Sequence, residues 1–147
     1  MKTRLFIGVA YSILVFLVIS CGGSGGSKTP PADPNDPMQN KGIGPVKSVT
    51  LGELDPAMAA EGEKIYKEMC SACHKLGEKF IGPAPNGILQ RRSPEWIMNM
   101  ILNPEKMIVE DPVAKKLLVE YNLAPMANQH LTEEQARKIL EYFRTLN

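Results

Sequence analysis

The pattern of apolar and polar positions divides the chain into three parts. Residues 5–20 form an uncharged, mostly apolar run directly after the basic Lys2 and Arg4. This run of about 16 residues is shorter than the roughly 20 that a spanning helix needs, and it matches the apolar core of a secretory signal peptide. Residues 1–20 are therefore predicted to be a signal peptide.

The third part, residues 55–147, has apolar side chains at helical spacing and no alternating strand pattern. An acidic or hydroxyl cap followed by proline is a typical helix start, and the capping-box pattern Thr132–Gln135 is another. Pro104 ends the second helix or opens a short turn. The fold prediction is one all-α domain of four to five helices, with starts at Asp55-Pro56, Ser93-Pro94, Asp111-Pro112 and Thr132.

The middle part is rich in glycine, serine and proline. Residues 22–27 have the composition of a flexible coil, and residues 30–37 are proline-rich without an apolar face that could pack. Residues 21–54 are therefore predicted to be a flexible tether. An alternative for residues 43–51 is an extended arm that packs on the domain.

The segment Cys70-Ser71-Ala72-Cys73-His74 matches the C-x-x-C-H pattern of covalent haem attachment. Two thiols three positions apart each add to one porphyrin vinyl group, and the adjacent imidazole reaches the iron, which predicts His74 as the proximal ligand. A redox dithiol needs a βαβ setting, and a structural zinc site needs about four ligands. Neither alternative fits this sequence as well as one covalent c-type haem.

The end of the signal run, Val18-Ile19-Ser20-Cys21, resembles the lipobox of bacterial lipoproteins, in which cleavage precedes a lipidated cysteine. Two or more acyl chains anchor a protein stably to a membrane. We therefore expect Cys21 to carry a lipid and the domain to lie in the bacterial cell envelope, on the periplasmic side. The alternative is an uncleaved anchor helix ending near Cys21. Lipid on Cys21 and thioethers at Cys70 and Cys73 account for all three cysteines.

Over residues 58–147 the chain resembles a class I cytochrome c. A first helix runs into C-x-x-C-H, a Gly-Pro loop follows, and a methionine loop precedes the last helix. The resemblance implies a helical bundle wrapped around one haem. It also places the crossing of the first and last helices at Gly62 and Tyr66, opposite Ile139 and Tyr142.

The same resemblance implies ligands and haem contacts. Met126 is the expected distal ligand, with His130 as the alternative, and the Pro83 carbonyl is expected to accept a hydrogen bond from His74. Pro85 departs from the apolar residue usual in that loop, and Pro125 precedes the methionine where many relatives have a proline after it. Independently of the resemblance, Arg91, Arg92 and Trp96 are candidates for contacts to the haem propionates, because donors commonly surround a buried carboxylate. The alternative is a surface arginine pair and a core tryptophan.

The charge balance excludes one class of function. Without Lys2 and Arg4 of the signal, 15 basic and 16 acidic residues remain, a net charge of −1. Such a domain gives no reason to expect nucleic-acid binding. Lys75 and Lys79 flank the haem motif and are candidates for a basic docking face.

These features predict a one-electron carrier rather than an enzyme. A His/Met haem has no open site for substrate, so it exchanges electrons with redox partner proteins, from a quinol-oxidising complex or other donor to a terminal oxidase or periplasmic reductase. The alternatives are a fixed haem subunit of a larger respiratory or dehydrogenase complex, and an open-site haem enzyme or sensor. The domain is expected to be monomeric.

Overall fold

The computed structural model describes residues 33–146, which form an all-α fold. Within this range there are five α-helices, one short 3₁₀ helix and no strand. No helix among the described residues has the length and apolar character needed to cross a membrane. The elements are α1 (Pro56–Met69), the 3₁₀ helix (Ile88–Gln90), α2 (Pro94–Leu102), α3 (Pro104–Glu110), α4 (Pro112–Glu120) and α5 (Glu133–Phe143). The predicted fold class is confirmed.

Proline at the first turn opens four of the five helices. Asp55, Ser93 and Asp111 are N-caps whose side chains accept hydrogen bonds from free backbone N–H groups of the first turn. Thr132 and Gln135 form both hydrogen bonds of a capping box at the start of α5. The local helix-start signals therefore act as predicted. Pro104 opens a helix of its own, α3, directly after α2.

Helices α1 and α5 cross at Gly62. A Cβ atom at this position would lie 1.9 Å from the carbonyl oxygen of Lys138, so only glycine allows the two backbones to approach this closely. One turn further on, the Tyr66 ring packs on those of Tyr142 and Phe143, with centroids 5.4 and 5.8 Å apart. The crossing thus forms at the residues that the resemblance implies.

The chain before α1 does not behave as the predicted tether. Residues 33–146 belong to one compact unit, and residues 40–49 lie as an arm along α2. The backbone of Val46 is hydrogen-bonded at both its N–H and its carbonyl by the fully buried amide of Asn99. A flexible tether up to residue 54 is therefore wrong for the arm, and the alternative of a packed arm is correct. Residues 1–20, Cys21 and the Gly/Ser segment lie outside the described residues.

Polar side chains in and next to α2 bind the backbone of the arm. Ser93 Oγ donates to the carbonyl of Asn40, and Glu95 accepts from the N–H of Val49 at 3.2 Å. Asn103, which follows α2, donates to the carbonyl of Ile43. Val46 lies in the hydrophobic core and Val49 packs against it, so both backbone hydrogen bonds and apolar side chains hold the arm.

The residues just before α1 are fastened to α5 by Glu141. This carboxylate has no exposed surface and accepts from the Asp55 N–H at 2.9 Å and from Arg137 and Arg144. Burial by itself would raise the pKa of Glu141, but these three hydrogen-bond donors outweigh it and hold the pKa below the ordinary 4.5. Arg144 also donates to the Gly52 carbonyl.

We expect the Glu141 carboxylate to make the free energy of unfolding depend on pH. A group whose pKa is lowered by folding contributes stability that is complete above its unfolded pKa and is lost as the pH falls through the folded pKa. Glu141→Gln should lower the free energy of unfolding of the haem-loaded protein by about 2 kcal/mol at neutral pH. Denaturant titrations from neutral pH to about pH 3 should show the difference from wild type narrowing below pH 4.5.

The matched control is Glu134→Gln, which removes an exposed carboxylate of the same helix that pairs with Lys138. It should change stability by less than about 0.5 kcal/mol. Equal losses in both variants, or a Glu141→Gln loss that does not vary with pH, would contradict the assignment.

Candidate functional site

The haem-attachment motif begins where α1 ends. Cys70 is the C-cap of α1, and the N–H groups of Cys73 and His74 both donate to its carbonyl in a tight turn. The Tyr66 hydroxyl donates to the carbonyl of His74 and so connects this turn to the α1–α5 crossing. The two thiols and the imidazole are therefore placed by the end of one well-anchored helix.

This turn opens into a cavity of about 560 Å³, within the usual size range of ligand clefts. Cys70, Cys73, His74 and Met126 all line it. The walls come mainly from apolar side chains of the helices, among them Ile97, Met100, Ile101, Leu117, Leu118, Ile139 and Phe143. An apolar cavity this large, with thiols and an imidazole at its surface, fits a flat hydrophobic cofactor attached at the motif.

The His74 ring is oriented by Pro83. Its Nδ1 lies 2.8 Å from the Pro83 carbonyl oxygen, as the resemblance implies. A carbonyl can only accept, so Nδ1 carries the proton and Nε2 keeps its lone pair. The imidazole is therefore held in the tautomer and orientation that can bind iron.

The two motif cysteines form no disulfide within the described residues. Burial, and to a lesser extent the neighbouring Cys73, raises the pKa of the Cys70 thiol to about 11. Without haem, Cys70 is therefore a neutral thiol at physiological pH. A sulfur at each of the two positions can form a thioether with one vinyl group of a porphyrin, so the donor set fits covalent haem.

The two candidates for the distal ligand are separated by the fold. Met126 is half-buried, packs against the hydrophobic core and lines the cavity. His130 is exposed, does not line the cavity and has a left-handed backbone with φ of 52°. Of the two, only Met126 shares the cavity with His74.

Arg91, Arg92 and Trp96 also line the cavity, but their polar groups are engaged differently. The Trp96 indole N–H donates to Asp111 at 3.0 Å, and this hydrogen bond uses the one donor of the ring. Arg91 donates to the carbonyls of Ala84 and Asn86. Arg92 stacks on Trp96, and its buried Nε has no partner within residues 33–146.

The sequence interpretation missed Asp111 as a part of this site. It was assigned only as a helix cap, which it is, through its bond to the Ala114 N–H. In addition, it accepts from Trp96 in the cavity wall and from Asn40 in the arm. The second role depends on which side chains meet in space, and no local sequence signal indicates it.

Comparisons with known proteins agree with this geometry. The family model described as Cytochrome c matches residues 59–147. A solved cytochrome c from Rhodothermus marinus is 51% identical, with a TM-score of 0.68, over 70% of this chain and 89% of that one. No curated protein shows significant similarity to the chain.

Two further structures extend the likeness. An engineered Rhodothermus marinus cytochrome c bound to a carbene intermediate is 48% identical over 78% of this chain and 97% of its own, with a TM-score of 0.67. The cytochrome c domain of a Pseudomonas putida protein is 29% identical over 57% of this chain and 85% of its own, with a TM-score of 0.53. The chain thus belongs to the cytochrome c family, in its class I monohaem form, and its cofactor is a covalent c-type haem.

Proposed function

We propose that this cytochrome c carries single electrons with His74 and Met126 as the axial ligands of its haem, while tethered to the cell envelope through Cys21. The observation that carries the ligand assignment is that both side chains line one cavity, together with Cys70 and Cys73. When bound, haem supplies an iron that is reduced and reoxidised by one electron. The residues of this chain hold that iron, exclude water and present the cavity mouth to partners.

A thioether in the cavity supports electron transfer rather than catalysis. Methionine is a soft ligand that raises the reduction potential relative to harder donors. If His74 and Met126 both hold the iron, it would have no open position for a substrate, which argues against the open-site enzyme or sensor. Carbene chemistry is a property of the engineered Rhodothermus marinus relative.

The proximal side is supported by a close approach at Gly82. A Cβ atom there would lie 2.4 Å from Cε1 and 2.7 Å from Nδ1 of His74, so the loop backbone packs against the ring. Together with the hydrogen bond to Pro83, this packing restricts the imidazole to one orientation. A rigid ligand lowers the structural rearrangement that accompanies each change of oxidation state.

A partner-docking surface is supported by the loop that follows His74. Leu76, Phe80 and Ile81 are each about half exposed, between 48% and 50%. Lys75 lies over the Phe80 ring, 5.6 Å from its centroid. Exposed apolar side chains beside a lysine favour contact with another protein. The proposed partners are a quinol-oxidising complex or other donor and a terminal oxidase or periplasmic reductase.

The alternative function is a fixed haem subunit of a larger respiratory or dehydrogenase complex. The same exposed apolar side chains would then lie in a lasting interface. Size-exclusion chromatography after mild detergent extraction distinguishes the two: a monomeric carrier elutes alone, whereas a fixed subunit elutes with its partners.

We expect Met126→Ala to change the iron coordination. The oxidised protein should lose the weak long-wavelength absorption band of sulfur-to-iron charge transfer, and the reduced protein should bind carbon monoxide at the open position. The reduction potential should fall by on the order of 0.1 V, a fraction of the roughly 0.8 V range that ligands and surroundings provide. Visible spectra and a redox titration of the purified holoprotein test this.

Met100→Ala is the matched control, because Met100 lines the same cavity from α2. It should keep the charge-transfer band, as should His130→Ala. A spectrum that changes in His130→Ala and stays the same in Met126→Ala would assign the distal position to His130 instead.

Gly82→Ala should displace the His74 ring, because the added methyl group overlaps it. The expected cost is about 1–3 kcal/mol of stability, together with shifted haem-methyl signals in the proton NMR spectrum of the oxidised protein. Gly52→Ala is the control, since a Cβ there meets nothing within 4 Å. Unshifted haem-methyl signals in Gly82→Ala would show that the ring is not restrained by this contact.

The lipid anchor predicts a specific mass for the mature protein. Protein purified from the membrane fraction should begin at Cys21 and carry acyl chains, and Cys21→Ser should lose that added mass. Intact-mass spectrometry measures both. A full-length chain with an unmodified Cys21 would instead identify residues 1–20 as an uncleaved anchor.

A further inference from the structure

A buried carboxylate joins the arm, residues 40–49, to the wall of the haem cavity. Asp111 is 1% exposed and Asn40 is 5% exposed. Asn40 Nδ2 donates to one oxygen of Asp111 at 2.6 Å, and the other oxygen accepts from Trp96 Nε1 at 3.0 Å and from the Ala114 N–H at 2.8 Å. The carboxylate therefore has a donor from the arm, one from α2 and one from its own helix.

Trp96 is the point at which this connection reaches the cavity. Its ring lines the cavity, and the guanidinium of Arg92 stacks on it, 5.2 Å from the ring centroid. A buried indole is held in place both by packing and by its one N–H donor. The position of the Asp111 carboxylate thus affects two side chains of the cavity wall.

The arm is seated at a second place that is independent of Asp111. A Cβ atom at Gly44 would lie 2.3 Å from Oδ1 of Asn99, the same oxygen that accepts from the Val46 N–H. Asn99 also donates to the carbonyl of Lys41. This contact requires glycine at position 44 and the buried Asn99 amide beneath it. The arm therefore occupies a specific site on α2.

We propose that the arm is a positioning element of the haem pocket: by bonding Asn40 to Asp111, it holds Trp96 in the cavity wall and helps to set the reduction potential. Asn40 does not touch the cavity and acts through Asp111. This inference rests on the covalent haem of the family, and it requires neither the lipid on Cys21 nor the identity of the distal ligand.

The direction of the effect follows from charge. The oxidised iron carries one more positive charge than the reduced iron, so a nearby negative charge and better access of water both stabilise the oxidised state. Loss of the Asn40 amide removes a donor from a buried carboxylate, and a loosened Trp96 admits water. Releasing the arm should therefore lower the reduction potential.

The experiment uses the full haem-loaded protein with two variants that release the arm in different ways. Asn40→Ala removes the bond to Asp111, and Gly44→Ala forces the arm away from Asn99. The matched controls are Gln39→Ala, an exposed amide whose side chain bonds to Asp36 within the preceding turn, and Gly52→Ala, whose added methyl group meets nothing within 4 Å.

Two measurements separate positioning from a merely structural role. The midpoint potential should fall in both arm variants and stay at the wild-type value in both controls. Ultraviolet resonance Raman spectra should show a weaker indole hydrogen bond, which can be assigned because Trp96 is the single tryptophan of the chain. Unchanged potential and indole bands in Gly44→Ala, with hydrogen exchange showing the arm released, would overturn the proposal even if Asn40→Ala fails to fold.

An exchange of the two side chains provides a rescue. Asn40→Asp alone replaces the amide donor with a second carboxyl group and should disturb the indole band. Adding Asp111→Asn restores an amide–carboxylate pair and an acceptor for Trp96, so the indole band should recover. Failure of the band to recover would contradict the role of this contact. The sulfur–iron charge-transfer band, followed in parallel, reports separately on the Met126 assignment.

Discussion

The close crossing of α1 and α5 at Gly62 is the constraint on which the rest of the molecule depends. With a Cβ position only 1.9 Å from the Lys138 carbonyl oxygen, the two backbones are in direct contact, and the aromatic rings beside them interlock. Because α1 ends at Cys70, this contact also determines where the attachment motif enters the bundle. A larger residue at position 62 would shift the helix that carries the thiols and the proximal imidazole as well as weaken the packing.

The cavity beside this crossing has a volume of about 560 Å³, and its walls are mostly apolar. A haem held there would give the lining side chains packing contacts that the chain alone does not supply. The covalent haem of the family completes the core. The contacts that hold the cofactor therefore also stabilise the fold. The residues that orient the imidazole line the same cavity.

The tether and the tryptophan show where sequence patterns give incomplete information. The arm was predicted to belong to a flexible tether because it follows a segment rich in glycine, serine and proline. Instead, amides and a carboxylate of α2 bind its backbone, and Val46 lies in the core. Trp96 was expected to donate to a propionate, but Asp111, 15 residues later, takes its only donor. In both cases the deciding partner is a buried polar side chain whose local sequence indicates a different role or none.

The sequence by itself determined four of the five helix starts and the cofactor motif, because each rests on chemistry within a few residues. The glycine of the crossing followed from the resemblance to class I cytochromes c. A helix cap forms between one side chain and the backbone N–H groups of the turn that follows it, and C-x-x-C-H is a motif of five consecutive residues. Only the tertiary structure decided that Met126 and not His130 lines the cavity, that residues 40–49 are packed, and that Asp111 joins the arm to the cavity wall. Those outcomes depend on long-range packing and on which buried polar groups find partners, and no local pattern records either.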